Sequence, residues 1–265
     1  MMRFALIFFS FVFCFSSGLF SPIEPPKFDK EKAKLGEKLY FETKFNENKI
    51  SCDRCHNIYL NQSGTSKDKN TPTILNSALS TLFFSNGTNQ SLKEKIKRSL
   101  TAKHELNSNP STIESVVRLN SNYAESFKKL YKDGINFENI ADSLEHFVKT
   151  LVTPNSKFDH FLRNELKLNE DEQEGYGLFL DLGCASCHNG VNLGSNSFQK
   201  AINSNALVKV PTLRNITKTA PYSGDIENLS SAILQMSIKK INTTLSDYEI
   251  DKIIKFLETL SGELQ

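Results

Sequence analysis

The chain has 265 residues, which is enough for two ordinary domains of about 100–150 residues each. Hydrophobic residues make up 38% of it, so each domain can bury a core of its own. The formal net charge of +2 is too small to indicate a nucleic acid or an anionic membrane as a partner.

The N-terminus has the layout of a secretory signal peptide. Arg3 precedes an apolar run from Phe4 to Phe15, and small residues follow up to Gly18. A run of about 12 residues is too short to cross a bilayer comfortably, although an uncleaved membrane anchor is the alternative. We therefore expect residues 1–18 to be removed on export. Cleavage there also removes Cys14 and leaves four of the five cysteines.

Similar apolar helices lead into two Cys-x-x-Cys segments. The first helix contains Gly36-Glu-Lys-Leu-Tyr40 and the second contains Gly175-Tyr-Gly-Leu-Phe179. A glycine on such a helix lets another backbone approach closely. The repeat predicts a mainly α protein with two related domains, at residues 19–160 and 161–265.

The two Cys-x-x-Cys pairs are each followed directly by a histidine, at Cys52–His56 and Cys184–His188. This is the attachment signature of c-type haem, in which two thiols bond the porphyrin and the histidine binds the iron. A four-cysteine zinc site or two redox disulfides would not need those histidines. The sequence therefore predicts two covalently bound haems. Their attachment residues are Cys52, Cys55, His56, Cys184, Cys187 and His188.

The remaining segments read mostly as helices with clear start signals. Asn136 is predicted to cap one helix, Asn169 with Glu172 resembles a capping box, and Ser246 with Glu249 resembles another. The apolar stripes of the first and last of these helices predict buried faces. Their members are Ile140, Leu144, Phe147, Val148 and Leu151, and Ile250, Ile253, Ile254, Leu257 and Leu260.

Several segments together resemble the bacterial di-haem cytochrome c peroxidase family, which includes the methylamine-utilisation-type di-haem oxidases. The resemblance covers nearly all of the mature chain and implies two cytochrome c-like domains, face to face, with a calcium ion between the haems. The segments that carry it, besides the one around Glu105, are LGEKLYF (35–41), SCDRCHN (51–57), NTPTILNSA (70–78), KTLVTPNSKFDHFL (149–162), GCASCHNG (183–190) and VPTLRNITKTAPY (210–222).

The resemblance implies a division of labour between the haems. The haem on His56 (haem 1) resembles the peroxidatic centre, and the haem on His188 (haem 2) resembles the electron-transfer centre. Met236 stands where the family has the second ligand of the haem 2 iron. A thioether is a soft ligand that favours ferrous iron, so a His/Met haem accepts electrons readily. The alternative for Met236 is ordinary helix packing.

The family's calcium site falls here on Asn70, Thr219 and Pro221. In relatives an asparagine side chain and backbone oxygens hold the ion, and oxygen-only ligation suits calcium. No dense carboxylate cluster marks such a site in this sequence, so calcium is expected only because of the resemblance.

The acid–base residue implied by the resemblance is Glu105. A carboxylate above the haem can take a proton from peroxide and return it to the departing oxygen. The alternative is a solvated surface glutamate. Lys95 stands where relatives often have a glutamine near this residue, and a tryptophan that relatives often place between the haems is absent, because the chain has no tryptophan.

The loop from Asn57 to Lys69 departs from the family in another way. Many relatives have a longer loop with a histidine that binds the haem 1 iron in the resting oxidised enzyme, and this loop contains none. We therefore expect the haem 1 iron to have an open or water-bound position already in the oxidised protein.

The resemblance implies a periplasmic enzyme that reduces hydrogen peroxide to water with electrons from a small c-type cytochrome or similar donor. Relatives are often homodimers, and no nucleic acid is expected as a partner. Two other functions stay open. One is a di-haem oxidase that modifies a partner protein, and the other is a di-haem electron carrier or redox sensor without peroxidase turnover.

Overall fold

The computed structural model describes residues 18–58, 65–66, 69–83, 91–202, 205–222 and 226–264, with the backbone alone at 65–66 and 69–70. The predicted signal peptide therefore lies outside the described residues, except for Gly18. No helix in these ranges combines the length and the apolarity needed to cross a membrane.

The described residues are mainly helical, as predicted. The N-terminal half has a short hairpin, β1 (Thr65–Ser66) with β2 (Lys69–Asn70), and helices α1 (Lys30–Tyr40), α2 (Leu92–Thr101), α3 (Pro110–Leu119), α4 (Ser121–Leu130) and α5 (Phe137–Val148). The C-terminal half has helices α6 (Lys157–Leu162), α7 (Glu170–Asp181), α8 (Leu229–Lys240) and α9 (Asp247–Glu258), and an antiparallel hairpin, β3 (Phe198–Lys200) with β4 (Leu207–Lys209).

The predicted helix starts are confirmed. The Asn136 side chain accepts a hydrogen bond from the Asn139 amide at the start of α5. The capping boxes that begin at Asn169 and Ser246 are both complete, and they start α7 and α9. Each cap satisfies amide groups that the helix itself leaves unpaired. The predicted stripes face the interior, apart from the partly buried Ile254.

Each half has its own hydrophobic core around one pair of crossed helices. In the first core α1 packs against α5, and in the second α7 packs against α9. Phe20 and Phe158 pack into the second core, although both precede the predicted boundary at residue 160. The boundary itself stays a prediction.

Glycine permits both helix crossings. A Cβ on Gly36 would overlap the carbonyl of Ser143 in α5, and a Cβ on Gly175 would overlap the carbonyl of Lys252 in α9. The close backbone approach expected at these two glycines is therefore confirmed. The equivalent contact in both halves shows that they are built on one plan.

Buried polar groups join the two halves. The Thr153 hydroxyl oxygen accepts hydrogen bonds from the side-chain amides of Asn76 and Asn215, at 2.9 Å each. Both asparagines have φ of 59°, a left-handed conformation that asparagine tolerates better than most residues. Close by, Arg214 and Asp159 form an ion pair of 2.9 Å with both side chains 0% exposed.

Substitution at the second crossing tests the packing. Gly175→Ala should lower the free energy of unfolding of the haem-loaded protein by about 1–3 kcal/mol, because the added methyl group forces the helices apart. Gly177→Ala on the same helix is the control, because nothing lies within 4 Å of its added Cβ. Urea denaturation followed by circular dichroism measures both. Equal stability of the two variants would contradict the tight crossing.

Candidate active site

The first haem signature folds into a single tight turn. Cys52–Arg54 form a 3-10 turn, and the amides of Cys55 and His56 both donate to the carbonyl of Cys52, at 3.2 and 2.9 Å. The turn brings the two thiols and the imidazole into one local unit. The Tyr40 hydroxyl, at the end of α1, donates to the carbonyl of His56 and ties the turn to the helix that precedes it.

The second signature repeats this geometry. Cys184–Ser186 form a 3-10 turn, and the amides of Cys187 and His188 donate to the Cys184 carbonyl at 3.3 and 3.0 Å. The turn begins after Gly183, whose φ of 82° lies in the left-handed region that glycine adopts without strain.

The hydrogen bonds of both imidazoles show which ring nitrogen would be free to bind an iron. His56 Nδ1 lies 3.1 Å from the carbonyl oxygen of Pro72, and His188 Nδ1 lies 3.1 Å from that of Leu193. A carbonyl only accepts, so Nδ1 carries the hydrogen in each ring and Nε2 keeps its lone pair. The Pro211 carbonyl also attracts the His188 proton. Each histidine thus has the arrangement expected of an iron ligand, with a hydrogen-bond partner for its other nitrogen.

Burial determines the protonation of the cysteines and histidines in both signatures. Burial raises the pKa of the Cys52 thiol to about 12 and also raises the pKa of Cys184, so neither is a ready thiolate. Burial lowers the pKa of both His56 and His188, so both imidazoles are neutral, as an iron ligand must be. The four cysteines in the described ranges are free thiols.

Four polar atoms in the C-terminal half are also consistent with a bound porphyrin. Within the described residues, the hydroxyl of Ser197 and the side-chain oxygens of Asn192, Asn196 and Gln235 are buried without a hydrogen-bond partner. Buried polar groups are normally paired. Ordered water around a bound haem can donate to the three amide oxygens, and the Ser197 hydroxyl can donate to a haem propionate, so these atoms fit the group that the cysteines and histidine predict.

The other predicted haem 2 ligand, Met236, lies on α8 and is partly buried. Its neighbours Ala232 and Ser237 are buried, so this part of the helix faces the protein interior. Its role as iron ligand stays a prediction.

Glu105 lies in the turn after α2, near the first signature. Its carboxylate is 3.2 Å from the Lys95 ammonium and 39% exposed. Burial alone would raise the pKa of this carboxyl. A hydrogen bond from Ser99 and the charge of Lys95 together outweigh burial, so the pKa lies below its ordinary value. The carboxylate is close enough to His56 for its charge to raise the imidazole pKa against the larger lowering by burial.

The predicted calcium residues are only partly described. Asn70 is in β2, where the structure gives the backbone alone. Thr219 follows a 3-10 turn at Ile216–Lys218, and its hydroxyl donates to the Ile216 carbonyl at 3.2 Å. Pro221, two residues later, is partly buried. Among the described residues, no group of three or more His, Cys, Asp or Glu could hold a metal ion. Calcium stays a prediction.

The haem signatures alone do not reveal the proline carbonyls near the imidazoles or the asparagines that join the two halves. The Pro72 carbonyl pairs with the His56 imidazole, and the Pro211 carbonyl raises the pKa of the His188 imidazole. The asparagines four residues after these prolines meet at Thr153. The signal is a repeated Pro-Thr-x-x-Asn, at 72–76 and 211–215, which follows each haem signature.

The fold and the donor geometry define a two-domain c-type haem protein, and comparison with known proteins gives its family. A family model described as di-haem cytochrome c peroxidase matches residues 30–167, and a cytochrome c model matches residues 172–261. The cytochrome c551 peroxidase of Nitrosomonas europaea is 34% identical to this chain, over 91% of the chain and 84% of that protein.

More distant similarities agree with this. The methylamine utilization protein MauG of Methylophilus methylotrophus is 26% identical, over 88% of this chain and 83% of that protein. The solved structure of a MauG-like protein associated with microbial copper homeostasis shares the fold, with a TM-score of 0.75 and 21% identity over 92% of this chain and 93% of that chain.

The chain belongs to the di-haem cytochrome c peroxidase family. It is a di-haem peroxidase with two c-type haems, which confirms the cofactors and the activity expected from the sequence.

Proposed function

We propose that this peroxidase reduces hydrogen peroxide to water at haem 1, with electrons that a small c-type cytochrome or similar donor delivers through haem 2. The observation that carries this assignment of roles is the Glu105 carboxylate, held by Lys95 beside the His56 segment. The second half of the chain has Met236 on α8, the residue expected as the second ligand of haem 2.

The overall reaction needs two electrons and two protons, because hydrogen peroxide becomes two molecules of water. Haem supplies the iron at which the O–O bond is reduced. Glu105 takes a proton from the incoming peroxide and delivers it to the oxygen that leaves as water. A carboxylate with a lowered pKa is ready for the first of these steps.

Removal of the carboxylate tests this role. Glu105→Gln should lower peroxide turnover about 10²–10⁴-fold, because an amide cannot take up the proton. Glu94→Gln, on α2 and paired with Lys97 instead, is the matched control and should keep its activity. Steady-state turnover with a reduced cytochrome measures both. Unchanged turnover in Glu105→Gln would remove Glu105 from the mechanism.

The coordination of the haem 1 iron is a separate proposal. The loop after His56 offers no histidine, and most of that loop lies outside the described residues. We expect the iron to keep an open or water-bound position in the oxidised protein, so that no reductive activation is needed. Electron paramagnetic resonance of the oxidised protein should show a high-spin haem, and two purely low-spin haems would refute the proposal.

The surface beside haem 2 favours an acidic electron donor. Between residues 182 and 246, the exposed charged side chains among the described residues are Lys200, Lys218, Lys239, Lys240 and Glu227. The Lys240 ammonium donates to the carbonyl of Lys200, which brings the end of α8 beside the β3–β4 hairpin. On that hairpin Leu207 and Val208 are 60% and 42% exposed. Apolar residues bordered by lysines form a suitable surface for a small redox protein with acidic residues around its cofactor.

Charge reversal tests this surface. The double variant Lys239→Glu and Lys240→Glu should slow the reaction with an acidic small cytochrome about tenfold at low salt, because electrostatic steering is lost. The matched control reverses Lys128 and Lys129, two exposed lysines in the last turn of α4. Turnover with a small uncharged quinol should be the same in all variants. Equal rates with the cytochrome in both double variants would contradict the proposal.

Export to the periplasm also belongs to the proposal, and the signal-peptide layout of residues 1–18 supports it. The calcium ion between the haems and the homodimer rest on the family resemblance alone.

A methylamine-utilisation-type oxidase is the second candidate. MauG is 26% identical to this chain, against 34% for the peroxidase of Nitrosomonas europaea, and this difference favours the peroxidase.

A further inference from the structure

Two residues on one face of α2, Lys95 and Ser99, contact the Glu105 carboxylate. The segment after α2 folds back on it, with the Glu105 amide donating to the Ala102 carbonyl at 3.0 Å and the Leu106 amide to the Ser99 carbonyl at 3.2 Å. Leu106 is buried and anchors this turn. Lys95 and Ser99 are one helical turn apart, so both reach the same carboxylate from one face.

The other lysines of α2 point elsewhere. Lys97 pairs with Glu94 and with Glu138 of α5, and Lys93 lies 3.9 Å from Glu138. Residues two apart on a helix face different directions, so Lys95 lies on a different face of α2 from Lys93 and Lys97. Within the described residues, Lys95 is the α2 lysine that contacts Glu105, and its side chain is 36% exposed.

The titratable groups around Glu105 come from three elements. Lys95 is on α2, His56 closes the first signature, and Lys209 approaches from β4 in the other half of the molecule. The Lys209 ammonium donates to the carbonyl of Leu82 at 3.2 Å. Burial lowers its pKa, and so does the charge of Lys95, so the two ammonium groups lie near one another. The exposed His104 precedes Glu105 in the chain.

We propose that Lys95 is a positioning residue for Glu105, which fixes the carboxylate toward the haem 1 side of α2 and supplies the positive charge that balances it there. The proposal rests on the acid–base role proposed for Glu105 and extends it to a second side chain. A glutamine at this position could hold the carboxylate by a hydrogen bond but would bring no charge.

The charge has a consequence for the reaction. The carboxylate form accepts the first proton from peroxide, so a neighbouring ammonium extends the pH range in which that form is present. When Glu105 holds the proton, the attraction of Lys95 for the carboxylate favours its release to the departing oxygen. Lys95 needs no proton transfer of its own, and the reaction still consumes two electrons and two protons.

The test compares Lys95→Gln with Lys97→Gln, which removes an ion pair on another face of the same helix. In Lys95→Gln the acid limb of the kcat/KM profile for peroxide should move toward neutral pH by about one pH unit, so the rate falls about tenfold at the acid end. Lys97→Gln should keep the wild-type profile. Lys95→Arg keeps the charge and should keep the acid limb in place.

A second readout does not depend on turnover. Difference infrared titration reports the pKa of the Glu105 carboxyl, whose band is assigned by its loss in Glu105→Gln. This pKa should rise in Lys95→Gln and stay at the wild-type value in Lys97→Gln. An unchanged carboxyl pKa in Lys95→Gln, or an acid limb that moves equally in Lys95→Arg and Lys95→Gln, would overturn the proposal.

The two readouts separate this proposal from the function beneath it. Full turnover in Glu105→Gln would remove Glu105 from catalysis, whereas the infrared pKa still shows whether Lys95 controls the carboxyl. A normal Glu105 pKa in Lys95→Gln, together with a large loss of turnover in Glu105→Gln, would leave the peroxidase mechanism in place and reject Lys95.

Discussion

One hydroxyl oxygen connects the two haem sites of this protein. Thr153 Oγ1 accepts from Asn76 and Asn215, the last residues of the two Pro-Thr-x-x-Asn segments. The Pro72 carbonyl pairs with the His56 imidazole, and the Pro211 carbonyl raises the pKa of the His188 imidazole, whose hydrogen bond goes to Leu193. Thr153 lies in the connection between α5 and α6, so the link between the halves of the chain also holds the two Pro-Thr-x-x-Asn segments together.

Further buried bonds make this junction rigid. Thr153 donates its own amide to Asn76 Oδ1 at 2.8 Å, and the Gly262 amide donates to Asn215 Oδ1 at 3.0 Å. Beside them, Arg214 binds Asp159 and also donates to the carbonyls of Val191 and Ser21. An unpaired buried charge costs about 3–5 kcal/mol, so this ion pair strongly restricts any other arrangement of the halves. Two electrons must reach one peroxide, and a fixed spacing of the haems serves that need.

Structural features that depend on residues close together in the chain can be predicted from the sequence. The haem signatures, the caps at Asn136, Asn169 and Ser246, and the apolar stripes are all short-range patterns, and the structure has them where expected. The crossing glycines are also visible, because each stands at the same place before its signature.

Pairing between distant segments is harder to predict. Nothing in the sequence says that Asp159 pairs with Arg214, or that Phe20 enters the second core, because many charged and aromatic residues could fill those places. The Lys95–Glu105 pair is closer in sequence, but it depends on the turn that folds back on α2. The family resemblance identifies Lys95 and Glu105 as residues of interest, but only the folded structure shows that they contact one another.

The central claim is that both haems of one chain serve a single peroxide molecule. Anaerobic titration of the fully reduced protein with hydrogen peroxide, followed by the visible bands of ferrous haem, tests it most directly. One equivalent of peroxide per chain should oxidise both haems, because the reaction consumes two electrons. Oxidation of only half of the ferrous haem, however much peroxide is added, would contradict the account.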